Sequence, residues 1–381
     1  MTDNIVIAGI GQTTVGEHWK YSIRELAHFA LEVAIKDAGG LRPQALFVGN
    51  MLAPNLSRQA HLGALIADFS GLIGIEATSI EAAGASGGAA LRQGYLAVKS
   101  GMIDVALVVG VEKFTDMVDS GVEDALATAT DSDFEAVHGL TPTSQAAMLM
   151  QRYMHEYNVP ADGLAGFPIT AHANAVDNPN AMFQRAIKEA NYLRAGMVSP
   201  PLNIFDVAPP ADGAAAIILT HSELLPAHYH HRLVRVSGSA SASDMLALHD
   251  RQQPLSFDAA RRSVDQALEK AGITRDEISF FEYHDAYSIY AALSLEAAGF
   301  AEKGKGWELA RDGAITPEGR IPCAIAGGLK ARGYPGGATG VYQAVEAATK
   351  LRDTSVSGEI AMIQSLGGPA STAVTHILTT A

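Results

Sequence analysis

The residues that could do chemistry cluster in a few short segments of the chain. Glu282–Tyr287 (Glu-Tyr-His-Asp-Ala-Tyr) lies between a predicted strand and a predicted helix, and active sites gather at such strand ends in α/β folds. There, His284 could polarise a carbonyl or hold a water, and Tyr287 could donate or accept a proton. The alternative is a structural role for His284, with Asp285 as the cap of the following helix.

Two further segments place several glycines at the start of a helix, Glu81–Gly88 and Gly333–Gly340. Small residues in such a position let backbone N–H groups approach a ligand, and the positive end of the helix dipole then stabilises an oxyanion. Close packing of helices on a sheet requires the same composition. Both interpretations stay open at this point.

Composition excludes several classes of protein. The 381 residues contain one cysteine, Cys323, so any mechanism that needs two cysteines of one chain is excluded. The net charge of −14 argues against nucleic acid as the main ligand. The 13 histidines lack a His-x-x-x-His spacing, so no metal site is expected. No apolar run is long enough to span a membrane, and Met1–Asn4 lack the basic residues that open a signal peptide. The sequence therefore predicts a cytoplasmic protein.

Hydrophobic periodicity predicts the elements that position these segments. Buried strands are predicted at 4–9, 45–49, 77–82, 104–110, 233–238, 278–283, 359–364 and 373–378, and helices at 22–37, 256–271 and 286–298. Ser22 and Ser256 are the predicted helix caps. Similar offsets between the opening strands (233 − 4 = 229) and between the glycine-rich helix starts (336 − 87 = 249) suggest two related halves. The polar stretch between them, about 114–201, is predicted to cover a site.

Across almost the whole chain, these segments resemble those of the thiolases, and within them the sterol-carrier-protein-X-like branch. The matching blocks are Glu81–Ala90, Asn178–Phe183, Ser199–Leu202, Ala211–Ala216, Tyr283–Tyr287, Gly327–Gly340 and Leu366–Pro369. The resemblance implies a thiolase-like α/β fold, duplicated, with five layers (αβαβα) and an inserted loop domain. The implied division is 1–113 and 202–230 for the N-terminal half, 114–201 for the loop domain over the active site, and 231–381 for the C-terminal half.

The departures from the thiolase pattern bear on the chemistry. Gly84 stands where a thiolase carries its acylated cysteine, Ala286 stands where the branch often has a second one, and Tyr334 replaces the histidine of Gly-His-Pro. Glycine cannot supply a thiolate, so the usual ping-pong thiolysis is chemically unavailable. Cys323 is either a substitute nucleophile near the site or a small buried residue.

The blocks that are kept imply a pocket for a coenzyme A thioester. The resemblance places His284 in this pocket, with the backbone of Gly84, Gly367 and Gly368 as oxyanion donors. The phenylalanine of the family's His-Asp block is replaced by Tyr287. The resemblance therefore implies that two phenols, Tyr287 and Tyr334, point their hydroxyls into the pocket. This combination is similar to the cysteine-lacking, thiolase-like aldolases of steroid side-chain degradation.

The resemblance therefore predicts a carbon–carbon lyase that cleaves a β-hydroxyacyl-CoA, a steroid side-chain thioester, by a retro-aldol reaction. The predicted products are a ketone and a short acyl-CoA, and no covalent acyl-enzyme is formed. One tyrosine would accept the proton of the β-hydroxyl, and which tyrosine is base and which is acid stays open. Two alternatives remain. One is an acyltransferase with an unusual nucleophile, Cys323 or Ser86, and the other is a catalytically inactive scaffold subunit.

The resemblance also predicts partners. Thiolases are built as homodimers, and the aldolase branch pairs with a small protein that carries a zinc ribbon and an OB-fold barrel. This chain has no such modules, so the partner would act in trans and give a heterotetramer. No cofactor is expected on the chain itself, because the substrate carries the coenzyme A.

Overall fold

A computed structural model describes residues 4–118, 120–354, 356 and 358–380. The N-terminal residues on which the signal-peptide prediction rests, Met1–Asp3, lie outside this part. The strands are Ile5–Gln12 (β1), Ala45–Gly49 (β2), Glu76–Ile80 (β3), Val105–Glu112 (β4), Met197–Ser199 (β5), Leu202–Asn203 (β6), Gly213–His221 (β7), Val234–Ser243 (β8), Phe280–Glu282 (β9), Ile360–Gly367 (β10) and Thr372–Thr380 (β11).

The α-helices alternate with these strands in the first third and in the last third of the chain. They are Ile23–Asp37 (α1), Ala53–Leu56 (α2), Leu62–Phe69 (α3), Ser86–Lys99 (α4), Ser120–Ala127 (α5), Pro142–Tyr157 (α6), Gly166–Asn174 (α7), Glu189–Leu193 (α8), Asp258–Ala271 (α9), Ser288–Ala297 (α10), Gly306–Arg311 (α11) and Thr339–Asp353 (α12). No helix in the described ranges is long and apolar enough to cross a membrane.

Helix α1 forms where its sequence pattern predicts it. Ser22 is the N-cap residue, and its side chain accepts the N–H of Glu25 while the Glu25 carboxylate accepts the N–H of Ser22, a capping box. The apolar face that follows is buried along its length: Ile23, Leu26, Ala27, Ala30, Leu31 and Ala34. This face covers one side of the sheet.

Nine described strands form one mixed sheet in the order β3-β2-β4-β7-β1-β8-β11-β10-β9. The sheet consists of two halves. In the sheet, strands β3, β2, β4, β7 and β1 form the N-terminal half, and strands β8, β11, β10 and β9 form the C-terminal half. The two halves meet where β1 pairs with β8 through Val6 and Arg235. The two halves of the sheet are therefore joined by one short pairing, and helices α4 and α12 contact strands of both.

The packing of the helices confirms the predicted order of layers. Helices α1 and α3 share a core with the outer face of the N-terminal half. Helices α4 and α12 lie against each other and contact strands of both halves, so they form the middle layer. Helices α9 and α10 share a core with the outer face of the C-terminal half. The order is therefore α-β-α-β-α. The division into residue ranges stays a prediction, although α5 to α8 do lie within 114–201.

Two predicted helix caps are wrong. Helix α9 begins at Asp258 rather than at Ser256, and the Ser256 hydroxyl donates to the Asp258 carboxylate at 3.1 Å. Asp285 does not cap α10, because its Oδ1 atom accepts the N–H of Leu329 at 2.7 Å. The Ser256 hydroxyl is engaged by a carboxylate at the start of its own helix, and the Asp285 carboxylate by a backbone N–H from a distant loop, so neither is available to cap the helix.

Candidate active site

The loop between β3 and α4 is held by its own small residues. Ala83 has a left-handed backbone conformation with φ of 50°, which brings Gly84 to the tip of the turn. The hydroxyl of Ser86 donates to the carbonyl of Ala83 at 2.6 Å and accepts the N–H of Ala82 at 2.9 Å. Ser86 is fully buried. Its hydroxyl therefore closes the turn and does not face a substrate.

Three other elements meet at Gly84. A Cβ atom placed on this residue would lie 2.8 Å from the Tyr334 hydroxyl, 3.0 Å from His284 Cε1 and 2.6 Å from the carbonyl oxygen of Leu366. The phenol of Tyr334 thus occupies the space beside the glycine. The rings of His284 and Tyr334 stand edge to face, with centroids 5.6 Å apart. Position 84 has no room for a side chain unless its neighbours move.

These groups line a small cavity of about 60 Å³. The lining includes five of the six predicted site residues, namely Gly84, His284, Tyr287, Tyr334 and Gly368. The other lining residues are mainly apolar: Met51, Glu123, Leu126, Ala129, Pro142, Thr143, Val207, Ala208, Pro210, Ala286 and Tyr290. Gly367 does not line it. A Cβ on Gly367 would lie 2.7 Å from the carbonyl of Ala82, so this glycine packs under the Gly84 loop. The donor roles of the three glycines stay predictions.

The imidazole of His284 and the phenols of Tyr287 and Tyr334 are neutral in the cavity. Burial, together with the charge of Arg332, lowers the pKa of His284 to about 3, and Nδ1 has no hydrogen-bond partner in the described part of the chain. Burial raises the pKa of Tyr287, whose hydroxyl is 3.0 Å from the hydroxyl of Thr143. Burial also raises the pKa of Tyr334. The imidazole and both phenols therefore offer hydrogen bonds, and neither phenol is disposed to accept a proton.

Cys323 takes the second of its two predicted roles. It is fully buried, its Sγ atom donates to the carbonyl of Ile321 at 3.2 Å, and it does not line the cavity. Burial raises the pKa of its thiol far above the ordinary value. A thiol in this state is a poor nucleophile.

A buried polar network fixes the loop that carries Tyr334. Before this residue the chain forms a short π-helical turn, Gly328–Arg332. The ammonium of Lys330 donates to the carbonyl of Asp206 at 2.8 Å, and the guanidinium of Arg332 lies 3.0 Å from the carboxylate of Glu346. Next to this turn, the backbone of Tyr334 bonds to Pro209 and Ala211. No role was predicted for Lys330 or Arg332, whose contacts hold this loop.

Tyr290 is a further lining residue that was not predicted. Its ring lies 5.0 Å from that of Tyr287 between centroids, and its buried hydroxyl has no hydrogen-bond partner among the described residues. The signal was present in the sequence, because residues three apart at the start of a helix lie on one face. The described residues form no group of three or more side chains that could hold a metal ion.

The fold and the site define a duplicated α/β protein with a small hydrogen-bonding pocket at the tip of a strand–loop–helix elbow. The chain belongs to the thiolase family. Residues 5–223 match the family model described as the N-terminal domain of thiolase, and residues 240–380 match the model described as thiolase C-terminal domain-like.

Relatives that match nearly end to end carry acyl-CoA names. The acetyl-CoA acetyltransferase of Methanothermobacter thermautotrophicus is 41% identical over 98% of this chain and 99% of its own. The benzoylsuccinyl-CoA thiolase subunit BbsB of Thauera aromatica is 31% identical over 92% and 89%. A solved structure described as an Ltp2-ChsH2(DUF35) aldolase has a TM-score of 0.83 at 22% identity, covering 99% of this chain and 98% of that one. At this identity it bears on the fold alone.

The prediction of a retro-aldol lyase is wrong. The relatives with high identity are named as acetyltransferase and thiolase, whereas 17-hydroxy-3-oxo-4-pregnene-20-carboxyl-CoA lyase of Mycobacterium tuberculosis is only 27% identical. Burial raises the pKa of Tyr287 and Tyr334, which disfavours the phenolate form that a base for a β-hydroxyl would need.

Proposed function

We propose that this chain is an acyl-CoA acyltransferase of the thiolase type that works without an acyl-enzyme at position 84. The observation that carries the proposal is the cavity beside Gly84, where the hydroxyl of Tyr334 occupies the space of a nucleophile and His284 lies next to it. The names of the full-length relatives support the reaction class. Neither Cys323 nor Ser86 faces this cavity, so neither is assigned the role of nucleophile.

In the direction of cleavage, the reaction needs no nucleophile from the protein. The thiolate of coenzyme A attacks C3 of a 3-oxoacyl-CoA, the electron pair of the C2–C3 bond moves to C2, and C2 takes up a proton. A free thiol has a pKa of about 8.5, so a useful fraction is thiolate near neutral pH. Neutral donors such as His284 and Tyr334 would stabilise the oxyanion, and a phenol would supply the proton and regain it from solvent.

A second candidate function is a catalytically inactive subunit. It is favoured by the small volume of the cavity, about 60 Å³, and by the absence of a side chain at Gly84. An inactive subunit would still bind an acyl-CoA. Turnover therefore separates the two candidates, and binding alone does not.

Two assays test the proposal. A ping-pong thiolase exchanges labelled coenzyme A into acetyl-CoA without a second substrate, because an acyl-enzyme forms. We expect this chain to cleave acetoacetyl-CoA in the presence of coenzyme A, measured as acetyl-CoA by mass spectrometry, but to give no exchange and no acyl label on the protein. Exchange, or a label on Cys323 or Ser86, would contradict the proposal. No cleavage under any condition would favour the inactive subunit.

We also propose that the chain works as a homodimer together with a second, smaller chain of the zinc-ribbon and OB-fold type. Strand β3 supports the dimer, because it is the exposed edge of the sheet beside the Gly84 loop. The word "subunit" in the name of one relative supports the second chain. Light scattering should give the mass of a dimer, and co-expression with such a partner should raise turnover. A monomer, or full activity of the chain alone, would contradict these points. The cytoplasmic location stays a prediction.

A further inference from the structure

The carboxylate of Glu112, the last residue of β4, is buried without a cation beside it. The residue is 0% exposed, and it forms no ion pair within the described ranges. Its oxygens accept four N–H groups: Oε1 from Asn50 Nδ2 at 2.8 Å and Leu52 at 3.1 Å, and Oε2 from Met51 and Gly337, both at 2.9 Å. An ionised carboxylate has about four acceptor sites, and these donors occupy them. A protonated carboxyl would direct its own hydrogen at one of the N–H groups, so the contacts favour the ionised form.

The four donors come from two parts of the molecule that both reach the cavity. Three lie in the loop after β2, residues 50–52, and the fourth lies in the C-terminal glycine-rich segment that carries Tyr334. Met51 and Tyr334 line the cavity, whereas Glu112 does not. Gly336 lets the carboxylate approach this segment, because its φ is 41° and a Cβ on it would lie 2.8 Å from Glu112 Oε2. One carboxylate therefore joins two walls of the cavity.

The charge of Glu112 also acts on Tyr334, the one ionisable residue of the C-terminal glycine-rich segment. Burial is the main cause that raises the pKa of this phenol, and Tyr287 and the Glu112 carboxylate add to it. The loop 50–52 has no ionisable side chain, and the ammonium of Lys113 after β4 is paired with another carboxylate at 3.4 Å. The negative charge of Glu112 therefore favours the protonated phenol, which is the form that donates a hydrogen bond.

We propose that Glu112 is a positioning residue, whose ionised carboxylate joins the loop 50–52 to Gly337 and so fixes the hydroxyl of Tyr334 beside Gly84. The inference rests on the proposed function only in that turnover depends on this hydroxyl. Because Glu112 does not line the cavity, it acts through Tyr334 and does not touch the substrate. Its loss should therefore lower kcat and leave the binding of acyl-CoA nearly unchanged.

A double-mutant cycle on the cleavage of acetoacetyl-CoA separates positioning from general support of the fold. We expect Glu112→Gln, which replaces one acceptor oxygen by an amide donor, to lower kcat about 10- to 100-fold with KM within about threefold. In a Tyr334→Phe background, the same change should alter kcat by less than about twofold, because the group it positions is gone. The control is Glu296→Gln, which alters a carboxylate that accepts the N–H of Gly306 at 2.9 Å outside the cavity. The control should lower the melting temperature and leave kcat equal in both backgrounds.

A second measurement does not need turnover. In ¹⁹F NMR of the chain labelled with 3-fluorotyrosine, the signal of Tyr334 is the one that is missing from Tyr334→Phe. Burial raises the pKa of Glu112 to about 7, although its four N–H partners act to lower it. We therefore expect the Tyr334 signal of the wild type to shift with a midpoint near pH 7 and that of Glu112→Gln to stay constant. Asn50→Ala removes one donor to the ionised carboxylate, so it should move the midpoint to higher pH.

An equal fold-change of kcat by Glu112→Gln in both backgrounds would overturn the inference, because Glu112 would then act independently of Tyr334. If Glu112→Gln does not fold, the pH titrations of the wild type and of Asn50→Ala decide in its place, and a Tyr334 signal that does not respond to pH, or a midpoint that Asn50→Ala leaves in place, would overturn the inference. Turnover together with such an unresponsive signal would overturn the inference alone. A signal that follows Glu112 in a wild type without turnover would overturn the proposed function alone.

Discussion

The two glycine-rich elbows of the molecule have similar sequences and different roles. The N-terminal elbow, Glu81–Gly88, leads into α4, and the C-terminal elbow, Gly333–Gly340, leads into α12. The first presents a bare backbone at Gly84, and the second carries the phenol of Tyr334 into the space beside that glycine. The side chain that fills the space between this pair of elbows therefore belongs to the C-terminal half. Under the proposed function, the functional group of the site stands on the C-terminal elbow rather than on the N-terminal one.

Most of the other glycines of the two elbows serve packing. A Cβ on Gly340 would lie 2.2 Å from the backbone nitrogen of Gly88, and a Cβ on Gly87 would lie 2.8 Å from the carbonyl of Gly337. The two helix starts thus touch backbone to backbone in the middle layer. Composition left ligand binding and packing open. The structure assigns packing to these glycines and leaves the tip, Gly84, at the cavity.

The largest effect is expected where the elbows touch. Gly340→Ala would place its methyl group against the backbone of Gly88, which cannot move aside as a flexible side chain can. We expect the free energy of unfolding to fall by about 3 kcal/mol or more, measured by urea denaturation. Gly16→Ala is the matched control, since a Cβ there has no atom within 4 Å, and it should cost less than about 0.5 kcal/mol. Equal stability of the two variants would show that the elbows can separate.

The second effect concerns the group that fills the space beside Gly84. Tyr334→Phe removes only the hydroxyl and keeps the ring against His284. Loss of a proton donor at the reacting atoms should lower kcat about 100-fold or more, with little change in the binding of acyl-CoA. Tyr342→Phe, outside the cavity, should keep kcat within a few-fold. If Tyr334→Phe turned over at the wild-type rate, the phenol would be a packing residue only.

A third experiment tries to move the chemistry back to the N-terminal elbow. In Gly84→Cys, the new Cβ would lie 2.6 Å from the carbonyl of Leu366 and 2.8 Å from the phenol of Tyr334. We expect a loss of about 1–3 kcal/mol in stability and no acyl label from acetyl-CoA in mass spectrometry. Combining Gly84→Cys with Tyr334→His removes the phenol and should permit weak acylation. Labelling of the single variant would contradict the view that the phenol blocks this position.

The smallest effect concerns His284, which lies between the elbows. Its folded pKa of about 3 is below the ordinary value of about 6.5, so the unfolded chain binds more protons between these values. The contribution of neutral His284 to the free energy of unfolding is therefore fully present above about pH 6.5 and is lost as the pH falls from there toward about 3. From pH 7 to pH 5, the wild type should lose about 2 kcal/mol more than His284→Asn. The exposed His249→Asn should follow the wild type. Parallel curves for wild type and His284→Asn would contradict the burial of a neutral imidazole.

Local patterns of the sequence specify individual elements and the missing nucleophile, and the resemblance to thiolases supplies the order of layers. The capped apolar face of α1 and the continuous apolar run of β4 are local patterns, and the structure places both elements where those patterns predict them. The absence of a thiol at Gly84 likewise follows from the residue alone. His284 and Tyr287 adjoin each other in the chain, so their presence in one cavity could also be predicted.

The surroundings of these residues follow from the packing of the folded chain and not from local patterns. Gly84 and Tyr334 are far apart in the chain, and no local pattern specifies that a phenol lies 2.8 Å from the Cβ position of a glycine. The same limit applies to the buried thiol of Cys323 and to the free hydroxyl of Tyr290. The retro-aldol prediction failed because a few matching motifs weighed less than full-length identity to relatives named as acetyltransferase and thiolase. The ionisation of a tyrosine is likewise not given by its letter. Its pKa depends on desolvation by every element packed around it, and that quantity exists only in the folded chain.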